Sequence, residues 1–159
     1  MPSDARCTVR PAVAADAAAL TALARAAKAS WGYPPAWLAA WAEELAVSEA
    51  FAASGDVLVA ERAGRPLGFA GAVRGTGAGE WVLEHLWVDP ECQRRGVGAR
   101  LLEHLRGHVR RRGGTRLTVV SDPQAEGFYL RQSAVRRGTV RTSVTGTERA
   151  LPRLAFDPV

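Results

Sequence analysis

The sequence predicts one α/β domain over residues 1–159: a mixed, mainly antiparallel sheet flanked by helices, with one parallel crossover. Three observations predict it. A length of 159 residues fits one ordinary domain. A composition of 47% hydrophobic and 23% charged residues supports a core without disulfides or a structural metal. The punctuation of the chain reads as strand, two helices, three strands, helix, strand, helix and two strands.

The elements follow in order. Residues 7–10 form a short strand ended by Pro11. Asp16 is placed to cap a helix running to about Ala29, with Leu20, Leu23, Ala24 and Ala27 on one face. SWGYPP breaks that helix. Pro35 opens a second, in which Trp37, Leu38, Trp41 and Leu45 recur at helical spacing. After SGD, VLVAER alternates into the turn AGRP, and LGFAGAVRG follows as its antiparallel partner. WVLEHLWV is a strand ending at Asp89-Pro90. Residues 96–111 read as a helix burying Val97, Leu101, Leu102, Leu105 and Val109. RLTVV is the next strand, residues 125–131 a short helix, and RRGTVRTSV and LPRLAF the last two strands. Strand, helix, strand over residues 81–120 implies the parallel crossover, and ligands in such sheets bind where strands end and helices begin.

Composition narrows the function. Cys7 and Cys92 are the only cysteines and form no CxxC pair, so neither a disulfide framework nor a cysteine-based zinc site is expected. No metal site is expected at all. The N-terminal MPSDARCTVR has no apolar segment of leader type, and residues 12–29, the nearest to a membrane span, carry Asp16, Arg25 and Lys28. A cytoplasmic protein without membrane contact is the expectation. Residues 1–90 hold 7 basic and 10 acidic side chains, whereas residues 91–159 hold 14 basic and 6 acidic ones. The C-terminal half should therefore attract an anion. Lys28 is the one lysine among 21 basic residues, a usage expected of GC-rich coding, which also accounts for part of the arginine excess.

Between the strand WVLEHLWV and its helix lies DPECQRRGVGAR. Two glycines spaced by one residue at a helix start permit close backbone approach, and first-turn N–H groups have no intrahelical partner. With Arg94 and Arg95 alongside, such an end suits a pyrophosphate. LEHLWVDPECQRRGVGARLLEHL resembles the strand, turn and helix signature of the GNAT-type N-acetyltransferases, Gln/Arg-x-x-Gly-x-Gly/Ala. SDPQAEGFYLRQSAVRRG is similar to the same family's later Asn-x-x-Ala-x-x-Phe-Tyr helix and the strand after it. Both motifs stand in the family's order and spacing.

The resemblance implies transfer of an acetyl group from acetyl-CoA to a primary amine by direct attack in a ternary complex, with no metal. It implies that backbone N–H groups over Gln93, Arg94, Arg95, Gly96, Val97, Gly98 and Ala99 cradle the CoA pyrophosphate. Leu86, Trp87 and Val88 would line pantetheine and acetyl, with an N–H near Val88 polarising the thioester carbonyl. That edge is freed if the strand splays from RLTVV. Tyr129 falls at the aromatic-hydroxyl position that protonates the departing thiolate, although a tyrosine packed between helix and sheet is the plainer reading. Asp122 replaces the family's usual asparagine, and with Gln124 it is the candidate pantetheine contact. Ser133-Ala134 replaces the usual Gly-Phe.

Removing a proton from the substrate ammonium calls for a base. Glu84 shares strand parity with Leu86 and Val88 and is one candidate, with pairing to an arginine as its alternative role. His85 is the other, while His104 and His108 belong to a polar helix face. The family's acceptor site, commonly built from the first two helices and the late strands, directs attention to Trp31 and Tyr33 as substrate-binding residues, and to Trp37 and Trp41 as core or pocket wall. The amine, a small molecule or a peptide, stays unnamed, and a homodimer through the last strands is a further expectation of the resemblance. A catalytically idle acyl-CoA-binding domain is the alternative reading. A nucleic-acid-binding module finds support only in the basic charge, since zinc-finger spacing and RRM or helix-turn-helix patterns are absent.

Overall fold

Strand order in the sheet is β1-β2-β3-β4-β5-β7-β6, from strands Thr8–Pro11 (β1), Val57–Arg62 (β2), Arg65–Arg74 (β3), Glu80–Val88 (β4), Arg116–Val120 (β5), Val135–Val144 (β6) and Thr147–Phe156 (β7). The computed structural model describes residues 7–159; residues 1–6, part of the stretch read above for a leader, lie outside the described residues. The helices are Ala17–Ala29 (α1), Pro35–Ala40 (α2), Ala42–Leu45 (α3), Glu49–Ala52 (α4), Val97–Arg111 (α5) and Glu126–Arg131 (α6). Pairing of β4 with β5 is parallel, while β1 with β2, β2 with β3, β5 with β7 and β6 with β7 are antiparallel. This is the mixed α/β fold with one parallel crossover that the element order implied.

Contacts divide the chain into two compact parts, one holding residues up to Ala72 with His85–Leu105, the other Val73–Glu84 with Arg106–Val159. In the first, α1 lays Leu20, Leu23 and Ala24 against Val57, Val59 and Phe69 of the β2–β3 hairpin. These side chains are at most 8% exposed, and each buried leucine or phenylalanine contributes roughly 1.5–3 kcal/mol. Leu101, Leu102 and Leu105 of α5 are buried as their spacing predicted.

The second part is built on the long β6–β7 hairpin, with β5 paired to β7 through Leu117↔Phe156 and Val119↔Leu154, all buried. Gly114 lets the end of α5 close on β4, since a Cβ there would stand 2.3 Å from Val109 and 2.6 Å from the Trp81 indole. His108 is half-buried with its ring 6.3 Å from Trp81.

Two local readings change. Asp16 caps no amide of α1; its carboxylate accepts from the Val13 N–H (2.8 Å) and from Arg10 (2.9 and 3.0 Å), closing the preceding turn instead. Arg10 is drawn to it across six residues, and that pairing holds the Asp16 carboxyl below its ordinary range. The single helix expected from Pro35 is broken at Trp41, where φ −91° and ψ 2° leave helical geometry. An extra turn, α4, follows, its start capped by Ser48 Oγ accepting from the Phe51 N–H (3.0 Å). Pro11 is the last residue of β1, opposite Leu58, so this short edge strand ends at the proline as expected.

Candidate active site

The parallel ladder between β4 and β5 covers Glu80–Val82 opposite Arg116–Thr118 and goes no further, although β4 continues as strand to Val88. Leu86, Trp87 and Val88 are half-buried at that end. Gly68 of β3 brings the backbones close: a Cβ there would lie 2.7 Å from the Trp87 carbonyl oxygen and 3.1 Å from Leu101.

The turn that follows is pinned at its base. The Asp89 N–H donates to the Leu67 carbonyl (2.8 Å), Asp89 accepts from the Glu91 N–H (2.9 Å), and Arg65 reaches both Asp89 (3.1 Å) and Glu91 (3.0 Å). Gln93 Nε2 donates back to the Val88 carbonyl (3.3 Å). Arg94 (φ 64°) and Gly96 (φ 82°) both adopt the left-handed region. The Gly96 carbonyl accepts the first helical bond from the Arg100 N–H (3.0 Å). The N–H groups of Val97, Gly98 and Ala99 therefore lie ahead of any intrahelical acceptor at the positive end of α5. Gln93, Arg94, Arg95 and Gly96 are exposed, Gly98 and Ala99 half-buried, and only Val97 is buried. A Cβ at Gly96 would meet nothing within 4 Å, so the turn is open at that residue. Backbone donors, two guanidinium groups and that opening fit a pyrophosphate such as that of coenzyme A.

Beside β4's end, the first part carries an aromatic cluster. Lys28 Nζ lies 4.2 Å from the centroid of Trp41, 5.2 Å from Tyr33, 5.3 Å from Trp31 and 5.9 Å from Trp87. Trp37 stacks on Tyr33 (5.7 Å, 22°) and meets Trp41 edge-on (5.8 Å, 77°). All five rings are half-buried. Trp31 and Tyr33, singled out from the sequence, thus stand together with Trp37, Trp41 and the β4 residue Trp87. Lys28 is the residue sequence reasoning missed; its only signal was being the sole lysine.

His85 is buried, and burial pushes its imidazole down to about 4. It packs against Phe69 (5.5 Å) and Phe51 (6.1 Å), and its Nδ1 accepts from the Trp87 indole N–H (3.1 Å). A neutral imidazole with its hydrogen on Nε2 is the form that accepts this bond.

In the second part, Glu84 is exposed. Tyr129 of α6 is 6% exposed, and burial raises its phenol above the ordinary range, so the hydroxyl keeps its proton at neutral pH. Asp122 Oδ1 accepts from the Gln124 N–H (2.8 Å), and Oδ2 lies 3.6 Å from Arg149 in a pair whose side chains are 12% and 5% exposed. Gln124 is exposed. Among the described residues no group of three or more His, Cys, Asp or Glu side chains is placed to hold a metal, and no helix is long and apolar enough to cross a membrane.

A mixed sheet with one parallel pair, and a glycine-bearing turn leading from it into a long helix, define an α/β protein with a candidate anion-binding turn. The profile of the acetyltransferase (GNAT) family matches residues 19–133, well over half of the chain. The chain belongs to that family. It is similar in structure to a GCN5-related N-acetyltransferase from Rhodopseudomonas palustris, with TM-score 0.76 and 26% identity over 94% of each chain. The PaiA N-acetyltransferase of Thermoplasma acidophilum, crystallised in complex with coenzyme A, shares the fold at TM-score 0.67 and 16% identity, over 95% of this chain and 98% of that one. In sequence, 67 residues are 36% identical to serotonin N-acetyltransferase 2, chloroplastic, of Oryza sativa subsp. japonica, a match covering 42% of this chain and 33% of that protein. The chain thus spans about a third of the length of that curated relative.

Proposed function

We propose that residues 1–159 form one N-acetyltransferase domain that moves an acetyl group from acetyl-CoA to a primary amine by direct attack in a ternary complex. The observation that carries this reading is the start of α5, with its first-turn amides, left-handed Gly96 and flanking Arg94 and Arg95. The N–H groups of the turn hold the pyrophosphate, and the arginines neutralise it. Bound acetyl-CoA supplies an activated acyl group as a thioester. Leu86, Trp87 and Val88 line it, and a backbone N–H near Val88 is aimed at the charge that develops on the carbonyl oxygen. Asp122 and Gln124 contact pantetheine through the turn they build.

Tyr129 donates the proton that the leaving thiolate takes up; its phenol is protonated at neutral pH, as a donor must be. Glu84 takes the proton from the amine. Its exposure supports this choice over His85, whose Nδ1 is engaged by Trp87 and whose burial disfavours the charged form. Trp31 and Tyr33 contact the acceptor. The protein works in the cytoplasm, alone or as a homodimer paired through its last strands.

The test is release of free thiol from acetyl-CoA across a panel of amines. Tyr129→Phe is expected to lower kcat about 100-fold while leaving the acetyl-CoA dissociation constant unchanged. Unchanged turnover removes Tyr129 as the acid. A thermal shift with acetyl-CoA and no turnover with any amine would point to the idle acyl-CoA-binding domain instead.

A further inference from the structure

In the second part of the molecule the sheet register sets three exposed residues in one row. Val82 of β4 stands opposite Thr118 of β5; Val120, two residues on, stands opposite Arg153 of β7, which in turn faces Gly138 of β6. Paired residues point to the same side of a sheet, and alternate residues return to it. Glu84, two residues past Val82, therefore shares a face with Val120 and Arg153. Burial along β4 follows this parity, with Trp81 and Leu83 buried and Glu84 exposed. Val120 is 45% exposed, and Arg153 is exposed as well. The β4–β5 ladder stops at Val82 and Thr118, one step before this row.

The two charges of the row are uncompensated. Among the described residues, neither Glu84 nor Arg153 makes an ion pair or a side-chain hydrogen bond, with each other or with any other group. Other arginines of this part are engaged: Arg149, on the same strand and face, lies 3.6 Å from Asp122, Arg136 reaches Glu126 at 3.3 Å, and Arg116 stands 3.7 Å from Glu80. Arg141 lies opposite Ala150 and so points to the other face of the sheet. Gly138, opposite Arg153, has no side chain to answer its guanidinium.

A carboxylate, an exposed valine and a guanidinium in one row complement a zwitterion. The ammonium goes to Glu84, the methylenes lie over Val120 and the carboxylate meets Arg153. From β4 to β7 is two strand spacings, about 10 Å between backbones. Side chains leaning inward from both strands leave a short carbon chain between the charges.

We infer that this row selects an amino acid as the acetyl acceptor, with Arg153 as a specificity-determining residue that takes the carboxylate in the paired N–H fork of its guanidinium. This rests on the acetyl-transfer reading above and on Glu84 as the group that receives the amine's proton.

The experiment pairs glycine, 3-aminopropanoate and 4-aminobutanoate with ethylamine, propylamine and butylamine, in which a methyl group replaces each carboxylate. Binding is measured by calorimetry without acetyl-CoA, and turnover by thiol release with it, both at low ionic strength. For at least one pair the wild type is expected to show a kcat/KM about tenfold or more higher for the amino acid. Arg153→Gln should reduce that ratio about tenfold through KM, and Arg153→Lys should restore part of it, since it keeps the charge but loses the fork. Ratios near one for all three pairs, or a ratio unchanged in Arg153→Gln, overturn the proposal; turnover of the alkylamines would then leave acetyl transfer standing. Neither binding nor turnover of any amino acid also overturns it. Amino-acid binding that Arg153→Gln weakens, without thiol release from any compound, upholds the Arg153 site and counts against the transferase reading itself.

Discussion

Two turns in this chain lead from a strand of the parallel pair into a helix, and they differ in who supplies the negative charge. After β4, Arg94 and Gly96 turn left-handed, and the Arg94 and Arg95 side chains are exposed and cationic. After β5, Asp122 supplies its own carboxylate to the Gln124 N–H and pairs with Arg149 in a nearly closed setting. The first turn presents cations, and the second holds an anion of its own. The same topological position therefore carries either exposed cations or a carboxylate already engaged within the fold, according to a few side chains.

The comparison can be broken most directly by giving the first turn an acidic side chain of its own. Gly96→Glu places a carboxylate at the open turn and forces a non-glycine residue to φ 82°. It is expected to abolish the thermal shift that acetyl-CoA gives the wild type, a shift worth about 2.7 kcal/mol at one hundred times Kd. A retained shift would show that the turn is not the pyrophosphate site. In the other direction, Asp122→Ala removes the internal anion from the second turn. It leaves Arg149 without this carboxylate and the Gln124 N–H without its acceptor, and should cost about 2–3 kcal/mol in denaturant unfolding without creating a second acetyl-CoA site.

Charge at the first turn can be tested separately from its backbone. Replacing Arg94 and Arg95 together by serine should weaken acetyl-CoA binding about tenfold at low ionic strength and less at 0.5 M salt, because exposed charges are screened. Equal losses at both salt concentrations would argue for a geometric role instead.

A pH-dependent effect concerns the strand entering the first turn. His85 is lowered to about 4 in the fold against about 6.5 unfolded. Its contribution to stability is complete above pH 6.5 and is lost as the pH falls toward 4, since the unfolded chain then binds a proton that the fold resists. The expected slope is about 1.4 kcal/mol per pH unit within that window. His85→Gln keeps an acceptor for Trp87 without titrating and should flatten the slope in denaturant titrations from pH 7 to 4.

Much of the fold was legible from local pattern. The buried face of α5 and the β2–β3 hairpin each rest on a periodicity or a turn signal within some twenty residues, and the parallel crossover on three such segments within some forty. The first turn was legible for the same reason, since GVG and its arginines are contiguous. The break at Trp41 and the short helix α4 were not, although Ser48, which caps α4, is a residue type that signals a helix start. Asp16 had the residue type of a cap, yet Arg10 offered it a bidentate pair that local reading could not weigh.

What the sequence determined alone is whatever neighbouring residues settle between themselves: the order of elements, their buried faces, the glycine-bearing turn and the family motifs. What only the tertiary structure decided is which distant residues share a space. Trp87 stands 59 positions after Lys28, and no local pattern joins them; β4 brings its indole to the rings of the Trp31–Trp41 region, and the aromatic cluster closes. Cation–π attraction falls off within several ångströms, so it acts only once hydrophobic burial has placed the helices against the sheet.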